Sequence, residues 1–310
     1  MNTLSGQDIL SGGQFSRDQI DHILNVADDF KRKLENTKGL DILKGYVLAA
    51  LFFEPSTRTR LSFETAIHRL GGSVIGFSSA ESTSVAKGET LEDTIRTVDL
   101  YVDFIAMRHP AVGSAVKAAQ IAEHPVINCG DGSGQHPTQA LLDLFTIRSE
   151  RGKVDGMTLV LCGDLKNGRT VHSGVEIYKH YQCKIIFVAP EQLRMPSEIT
   201  KQLIAQGVTI EETTDLSAAI KKADVLYMTR IQKERFADPD EYERLKGSYI
   251  LTREMVETIN PRLTVLHPLP RVNEITTDVD DLSGAAYFRQ ARNGVFTRMA
   301  LLALTSGKVS

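Results

Sequence analysis

An α/β fold of two domains, each a mainly parallel sheet flanked by helices with the active site in the cleft between them, is predicted by three observations. Short apolar runs alternate with helix-periodic segments along the whole chain, the pattern of strands buried on both faces by crossover helices. The 310 residues exceed what one core usually serves, ~100–200 residues per domain. A polar stretch at 148–155, containing Gly152, falls between the fourth and fifth apolar runs and sets the boundary.

The expected strands are 46–53, 73–77, 102–107, 125–129, 157–162, 184–189, 224–228 and 263–266, about four per domain. Between them, Phe63, Ala66, Ile67 and Leu70 share one helical face that stops at Gly71-Gly72, and Leu141, Leu144, Phe145 and Arg148 mark another helix. The domains are then 1–149 and 150–310, with a last amphipathic helix near 290–304 that has no following strand to cover and could close either one. The segment 78–90 (S-S-A-E-S-T-S-V-A-K-G-E-T) reads as a structureless binding loop, with Lys87 as a long-reach cation for an anion.

A formal net charge of −3 with interspersed signs gives no broad positive field, which argues against nucleic acid and anionic membranes as partners. The longest apolar run is far below the ~20 residues that span a bilayer, and residues 1–10 carry no leader pattern, so a cytoplasmic location is expected. Cys129, Cys162 and Cys183 are too widely spaced for a zinc cluster or disulfide framework and read as buried thiols, with no metal expected.

Chemistry concentrates at strand ends. S-T-R-T-R (Ser56 to Arg60) lies between a buried strand and a helix, where backbone N–H groups and the helix dipole favour a compact phosphate. Arg60 is spaced to pair with Glu64, leaving Arg58 to face the ligand. M-R-H-P puts Arg108 just past a strand, and G-Q-H-P-T-Q puts His136 and Gln139 at a helix entry. Arg58, Thr59, Arg108 and His136 together form a donor set suited to a developing oxyanion. With cations around it, His136 is expected to donate as a neutral ring.

In the second half, G-D-L-K-N-G-R-T (Gly163 to Thr170) is a near miss to a triphosphate loop, with Arg169 in place of its lysine. A nucleotide-binding protein is therefore a rival reading. Arg230 and Gln232 follow another strand, and H-P-L-P-R (His267 to Arg271) follows the last one, with prolines that either expose carbonyls to a ligand or simply shape a turn.

In this order, F-E-P-S-T-R-T-R, K-G-E-T, M-R-H-P, Q-H-P-T-Q, G-D-L-K-N-G-R-T-V-H-S, M-T-R-I-Q-K-E-R and H-P-L-P-R resemble the aspartate/ornithine carbamoyltransferase family over nearly the whole chain. H-P-L-P and T-R-I-Q stand where the ornithine-using branch has H-C-L-P and S-M-G. The resemblance implies transfer of the carbamoyl group of carbamoyl phosphate to L-aspartate, without cofactor or metal, in de novo pyrimidine biosynthesis.

It further implies that Ser56, Thr57, Arg58 and Thr59 bind the phosphate, and that Thr59, Arg108 and His136 contact the carbonyl oxygen. Gln139 would hold the carbamoyl amide, and Arg169, Arg230 and Gln232 the aspartate carboxylates, with Thr170 and Leu269 lining the site. Ser84 and Lys87 would reach in from a neighbouring subunit of a homotrimer, Lys87 toward both substrates. Regulatory chains or other pathway enzymes as further partners, a sister carbamoyltransferase using another amine, and a non-catalytic phosphate sensor stay open at this stage.

Overall fold

The computed structural model describes residues 4–231, 236 and 238–309. It divides into two units, Met1–Phe145 with Arg292–Ser310, and Thr146–Ala291. In the first unit α1 (Arg17–Asn36), β1 (Val47–Phe52), α2 (Thr57–Arg69), β2 (Ser73–Phe77), α3 (Leu91–Asp99), β3 (Phe104–His109), α4 (Ser114–Ala119), β4 (Val126–Asp131) and α5 (Pro137–Arg151) alternate. In the second, β5 (Thr158–Cys162), α6 (Arg169–Tyr178), β6 (Lys184–Val188), α7 (Ser197–Ala205), β7 (Thr209–Thr213), α8 (Leu216–Ile220), β8 (Val225–Met228), α9 (Pro239–Leu245), α10 (Arg253–Ile259) and β9 (Thr264–Leu266) follow. The last helix is α11 (Tyr287–Thr305). The division falls inside α5 and inside α11, so the last helix from Arg292 onward groups with the first unit.

The first sheet is parallel throughout, in the order β2-β1-β3-β4. β1 (V-L-A-A-L-F) is buried at every position but its first, as a strand covered on both faces must be. Ala49, Leu51, Ile105, Met107 and Val126 pack into one core with Ile95 of α3 and Ala115 and Ala118 of α4. Helix α2 ends as its sequence predicts: Gly71 (φ +88) donates to the His68 carbonyl and Gly72 to that of Ile67, the paired closure that a left-handed glycine allows.

The second sheet is also parallel, in the order β7-β6-β5-β8-β9. It therefore holds five strands instead of about four. The one not foreseen, β7 (T-I-E-E-T), is a half-exposed edge strand whose residues give no apolar run. Leu226, Val160, Ile186 and Val265 build the core on one side with Leu216 and Ile220 of α8 and Tyr287.

The segment 78–90 departs from its sequence reading too. It contains two 3-10 turns, Ala80–Ser82 and Ser84–Lys87. Ser79 Oγ accepts from Glu81 N–H at 3.2 Å and Thr83 Oγ1 from Val85 N–H at 3.2 Å, so the hydroxyls organise the backbone locally. All three cysteines are free and buried, and burial pushes the Cys129 thiol up to about 12. Among the described residues no helix is long and apolar enough to cross a membrane.

Candidate active site

A parallel sheet places ligands at the carboxyl ends of its strands, where the strand order reverses. In the first sheet that point lies between β1 and β3. β1 runs into the Ser56–Arg60 motif, and the register pairs Phe52 with Arg108, which lies within β3 and not after it. The hydrogen bond from Phe53 N–H to the Arg108 carbonyl, 2.9 Å, carries the pairing one residue further.

Arg108 consequently extends over the start of α2. Its Nε donates to Glu54 Oε1 at 2.7 Å and its Nη1 to Ser56 Oγ at 3.4 Å. Ser56 occupies the N-cap position, yet its side chain makes no capping bond; its hydroxyl accepts from Arg108 instead. Thr59 is buried, while Thr57 and Arg58 are exposed in the first turn of α2. Arg60 pairs with Glu64 at 2.6 Å, as the i, i+4 spacing predicts. The result is a helix N-terminus with three hydroxyls, of Ser56, Thr57 and Thr59, and the guanidiniums of Arg58 and Arg108 about it, an anion-binding arrangement.

β4 delivers the next part. Asp131, buried at its end, accepts from Gly113 N–H (2.8 Å), Gln135 N–H (2.7 Å) and Asn128 Nδ2 (3.2 Å). This carboxylate fixes the turn that presents His136, which is 3% exposed and whose carbonyl accepts from Gln139 N–H at 3.0 Å. Gln139 lies on the first turn of α5, its Nε2 donating to Asp143 Oδ1 at 2.8 Å.

In the second sheet the order reverses between β5 and β8. The chain leaves β5 through Gly163 (φ +122), where a Cβ would stand 2.3 Å from the Thr229 carbonyl oxygen, so only glycine permits this approach. Arg169 opens α6 and is followed by Thr170; Arg230 comes two residues after β8; all three are partly buried. The loop from Gly163 folds around buried Asp164, which accepts from Asn167 N–H (3.0 Å) and Asn167 Nδ2 (3.1 and 3.2 Å). A triphosphate loop would aim such donors at phosphate; here they converge on a carboxylate of the chain. His172 Nε2 donates to the Leu165 carbonyl at 2.8 Å, and burial holds its ring below the usual imidazole range.

β9 is followed directly by His267, which is buried. Leu269 adopts φ 55, a left-handed conformation that costs a non-glycine residue about 1–2 kcal/mol. Two groups hold it there. Leu269 N–H donates to His267 Nδ1 at 2.8 Å, so the ring proton is on Nε2, which donates to buried Glu274 Oε1 at 2.7 Å. Glu274 Oε2 accepts from Val272 and Asn273 N–H at 3.1 and 3.0 Å. Burial alone would raise this carboxyl, but the His267 bond and the backbone donors outweigh it and leave it below the usual glutamate range. Beyond the loop, Arg271 forks onto Asp280, which also accepts from Tyr287 Oη.

Of the residues singled out from sequence, Ser56, Thr57, Arg58, Thr59 and Arg108 come together at one strand-helix junction of the first unit, and Arg169, Thr170, Arg230 and Leu269 lie at strand ends of the second. Ser84 and Lys87 sit exposed on the second 3-10 turn, and no described polar contact joins them to that junction. Gln232 lies outside the described residues. Sequence reasoning assigned nothing to Glu54, Asp131, Asp143 or Glu274. Glu54 stood inside the quoted F-E-P-S-T-R motif, but its partner is 54 positions away, beyond the reach of spacing arguments.

Both halves of the chain match known proteins. Residues 7–149 match the family model described as the aspartate/ornithine carbamoyltransferase, carbamoyl-P binding domain, and residues 155–305 match its Asp/Orn binding domain. The aspartate carbamoyltransferase catalytic subunit of Thermococcus kodakarensis is 56% identical over 97% of this chain and 97% of its own length. That of Thermococcus gammatolerans is 55% identical over 98% of each. A crystal structure of the Trypanosoma cruzi aspartate transcarbamoylase in complex with carbamoyl phosphate and aspartate aligns with a TM-score of 0.93, at 43% identity and 97% coverage of both chains. The catalytic subunit of M. jannaschii aspartate transcarbamoylase aligns with a TM-score of 0.89, at 48% identity over 96% of this chain and 97% of that one. With both halves matched by its models, the chain belongs to the aspartate/ornithine carbamoyltransferase family.

Proposed function

We propose that the chain transfers the carbamoyl group of carbamoyl phosphate to the amine of L-aspartate, giving N-carbamoyl-L-aspartate and phosphate in de novo pyrimidine biosynthesis. The observation that carries the reading is the α2 N-terminus, where Arg108 reaches Ser56 Oγ at 3.4 Å across the point at which the first sheet reverses. Ser56, Thr57, Arg58 and Thr59 bind the phosphate there. Thr59, Arg108 and His136 donate to the carbonyl oxygen, and Gln139 holds the carbamoyl amide. Arg169, Arg230 and Gln232 take the two carboxylates of aspartate, with Thr170 and Leu269 beside them; planar guanidiniums suit carboxylates better than the ammonium of ornithine.

The chemistry is positioning and electrostatics. The neutral amine of aspartate attacks the carbamoyl carbon, negative charge gathers on the carbonyl oxygen opposite Thr59, Arg108 and His136, and the C–O bond to phosphate breaks. The departing phosphate takes the proton the amine must lose. Glu54, paired with Arg108 at 2.7 Å, keeps that guanidinium directed at the junction.

Lys87 and Ser84 complete the site of a neighbouring copy in a homotrimer. What supports this is their exposure on a short turn with no tie to their own chain's phosphate junction. We place the protein in the cytoplasm, in keeping with three unpaired thiols. An acceptor panel tests the function. With carbamoyl phosphate as donor, L-aspartate is carbamoylated and L-ornithine is not; the opposite preference would move the chain to the other branch of its family.

A further inference from the structure

Gln139 is 9% exposed and Asp143, one helical turn further along α5, is fully buried. The 2.8 Å contact between Gln139 Nε2 and Asp143 Oδ1 fixes more than distance. A carboxylate only accepts hydrogen bonds, so the edge of the Gln139 amide that meets it has to be the NH2 group. Oε1 is thereby turned away from Asp143, and no donor among the described residues is placed on it.

A buried cation belongs to the same surroundings. Arg298 of α11 is 3% exposed and acts electrostatically on Asp143. Its Nη2 donates to Thr138 Oγ1 at 3.4 Å, and its guanidinium lies 5.1 Å from the Phe63 ring centroid. Room for it depends on Gly294, where a Cβ would stand 2.4 Å from Arg298 Nη1.

We propose that Asp143 is a positioning residue that sets donor specificity: by locking the Gln139 amide, it leaves Oε1 as an acceptor for the NH2 of carbamoyl phosphate and against acyl phosphates that carry a methyl group there. The inference rests on the reading of Gln139 as the residue holding the carbamoyl amide. A methyl group leaves a nearly buried acceptor unpaired, which costs on the order of ten- to hundredfold in affinity. The reversed amide would set donor against donor and abolish the preference.

The test is the ratio of dissociation constants of acetyl phosphate and carbamoyl phosphate, measured by calorimetry on the assembled protein. The unmodified chain prefers carbamoyl phosphate by about tenfold or more. In Asp143→Asn an amide that both donates and accepts replaces the carboxylate, so Gln139 is no longer held in one orientation and the ratio falls toward one. Asp143→Glu still only accepts and keeps the ratio, even where looser packing weakens both ligands together. Should Asp143→Asn not fold, Gln139→Glu decides. Protonated, it gives its O–H to Asp143 and its carbonyl oxygen to the ligand, so its ratio, relative to the unmodified chain at each pH, is high in acid and lost as the pH rises. No preference in the unmodified chain, equal loss in both Asp143 variants, or a pH-independent ratio in Gln139→Glu overturns the proposal. The carbamoylation of aspartate by the unmodified chain is read separately, so failure of the functional reading itself is distinguishable.

Discussion

At the Ser56–Arg60 junction the two arginines of one motif have different work, and the difference follows from helix geometry. Arg60 is neutralised by Glu64 one turn along, whereas Arg58 stays exposed at the positive end of α2. Replacing Arg58 with Ala should therefore lower kcat by on the order of 10²–10³, the usual loss for one donor aimed at charge that develops in the transition state, here on the departing phosphate. Steady-state assays of carbamoyl aspartate formation measure this, and a variant within a factor of a few of the unmodified chain would remove Arg58 from the chemistry. The Arg60–Glu64 pair was legible because i, i+4 contacts are written into the sequence. The Arg108–Glu54 and Gly113–Asp131 contacts were not, since their partners are brought together only by the fold, 54 and 18 positions apart. A buried carboxylate such as Asp131 or Asp143 looks, in sequence, like any solvated acid.

At the scale of elements, the loop after β9 shows how polar bonding can hold a costly conformation. Proline spacing identified a rigid turn, but the brace is Glu274, tied to His267 and to two backbone N–H groups. Its carboxyl is held below the ordinary value of 4.5 in the fold. A depressed acid stabilises the fold above its unfolded pKa, and that contribution is lost as the pH falls through the lower folded value. Glu274→Gln should thus destabilise the second unit by about 1–3 kcal/mol at pH 7. Its gap from the unmodified chain should shrink as the pH drops below 4.5. Denaturant midpoints at several pH values measure both; a gap that stays constant with pH would show that Glu274 is not ionised in the brace. Other elements were legible to differing degrees. β1 and β5 announce themselves as buried runs, whereas β7 hides because an edge strand of sequence T-I-E-E-T needs only partial burial. The hydroxyl-rich 78–90 segment was recognised as special, but it was read as structureless, whereas Ser79 and Thr83 organise its backbone locally.

For the whole molecule, the same rule operates twice: each parallel sheet reverses its order at a point from which an arginine-bearing segment emerges. Fold class was readable from alternation alone, and the motifs at strand ends marked the turns to which we assign the ligands, because strand-to-helix turns repeat a local pattern. Strand order was not readable, since it depends on which neighbours pair. The assembly is tested by mixing. Lys87→Ala and Arg58→Ala chains, each with low activity, should regain a measurable fraction after subunit exchange, because hybrid sites combine an intact Arg58 from one copy with an intact Lys87 from another. No recovery after exchange has been verified by mass would mean that each site is made within one chain.

The central claim is that separate arginines recognise a phosphate and a pair of carboxylates in the course of one reaction. The most direct measurement is calorimetric binding of N-(phosphonacetyl)-L-aspartate, the ligand held by a Trypanosoma cruzi aspartate transcarbamoylase of 44% identity. Tight binding by the unmodified chain should weaken by roughly 10- to 150-fold in Arg58→Ala and, independently, in Arg230→Ala, the loss of a charge-assisted hydrogen bond in each case. Binding by either variant as tight as that of the unmodified chain would contradict the account.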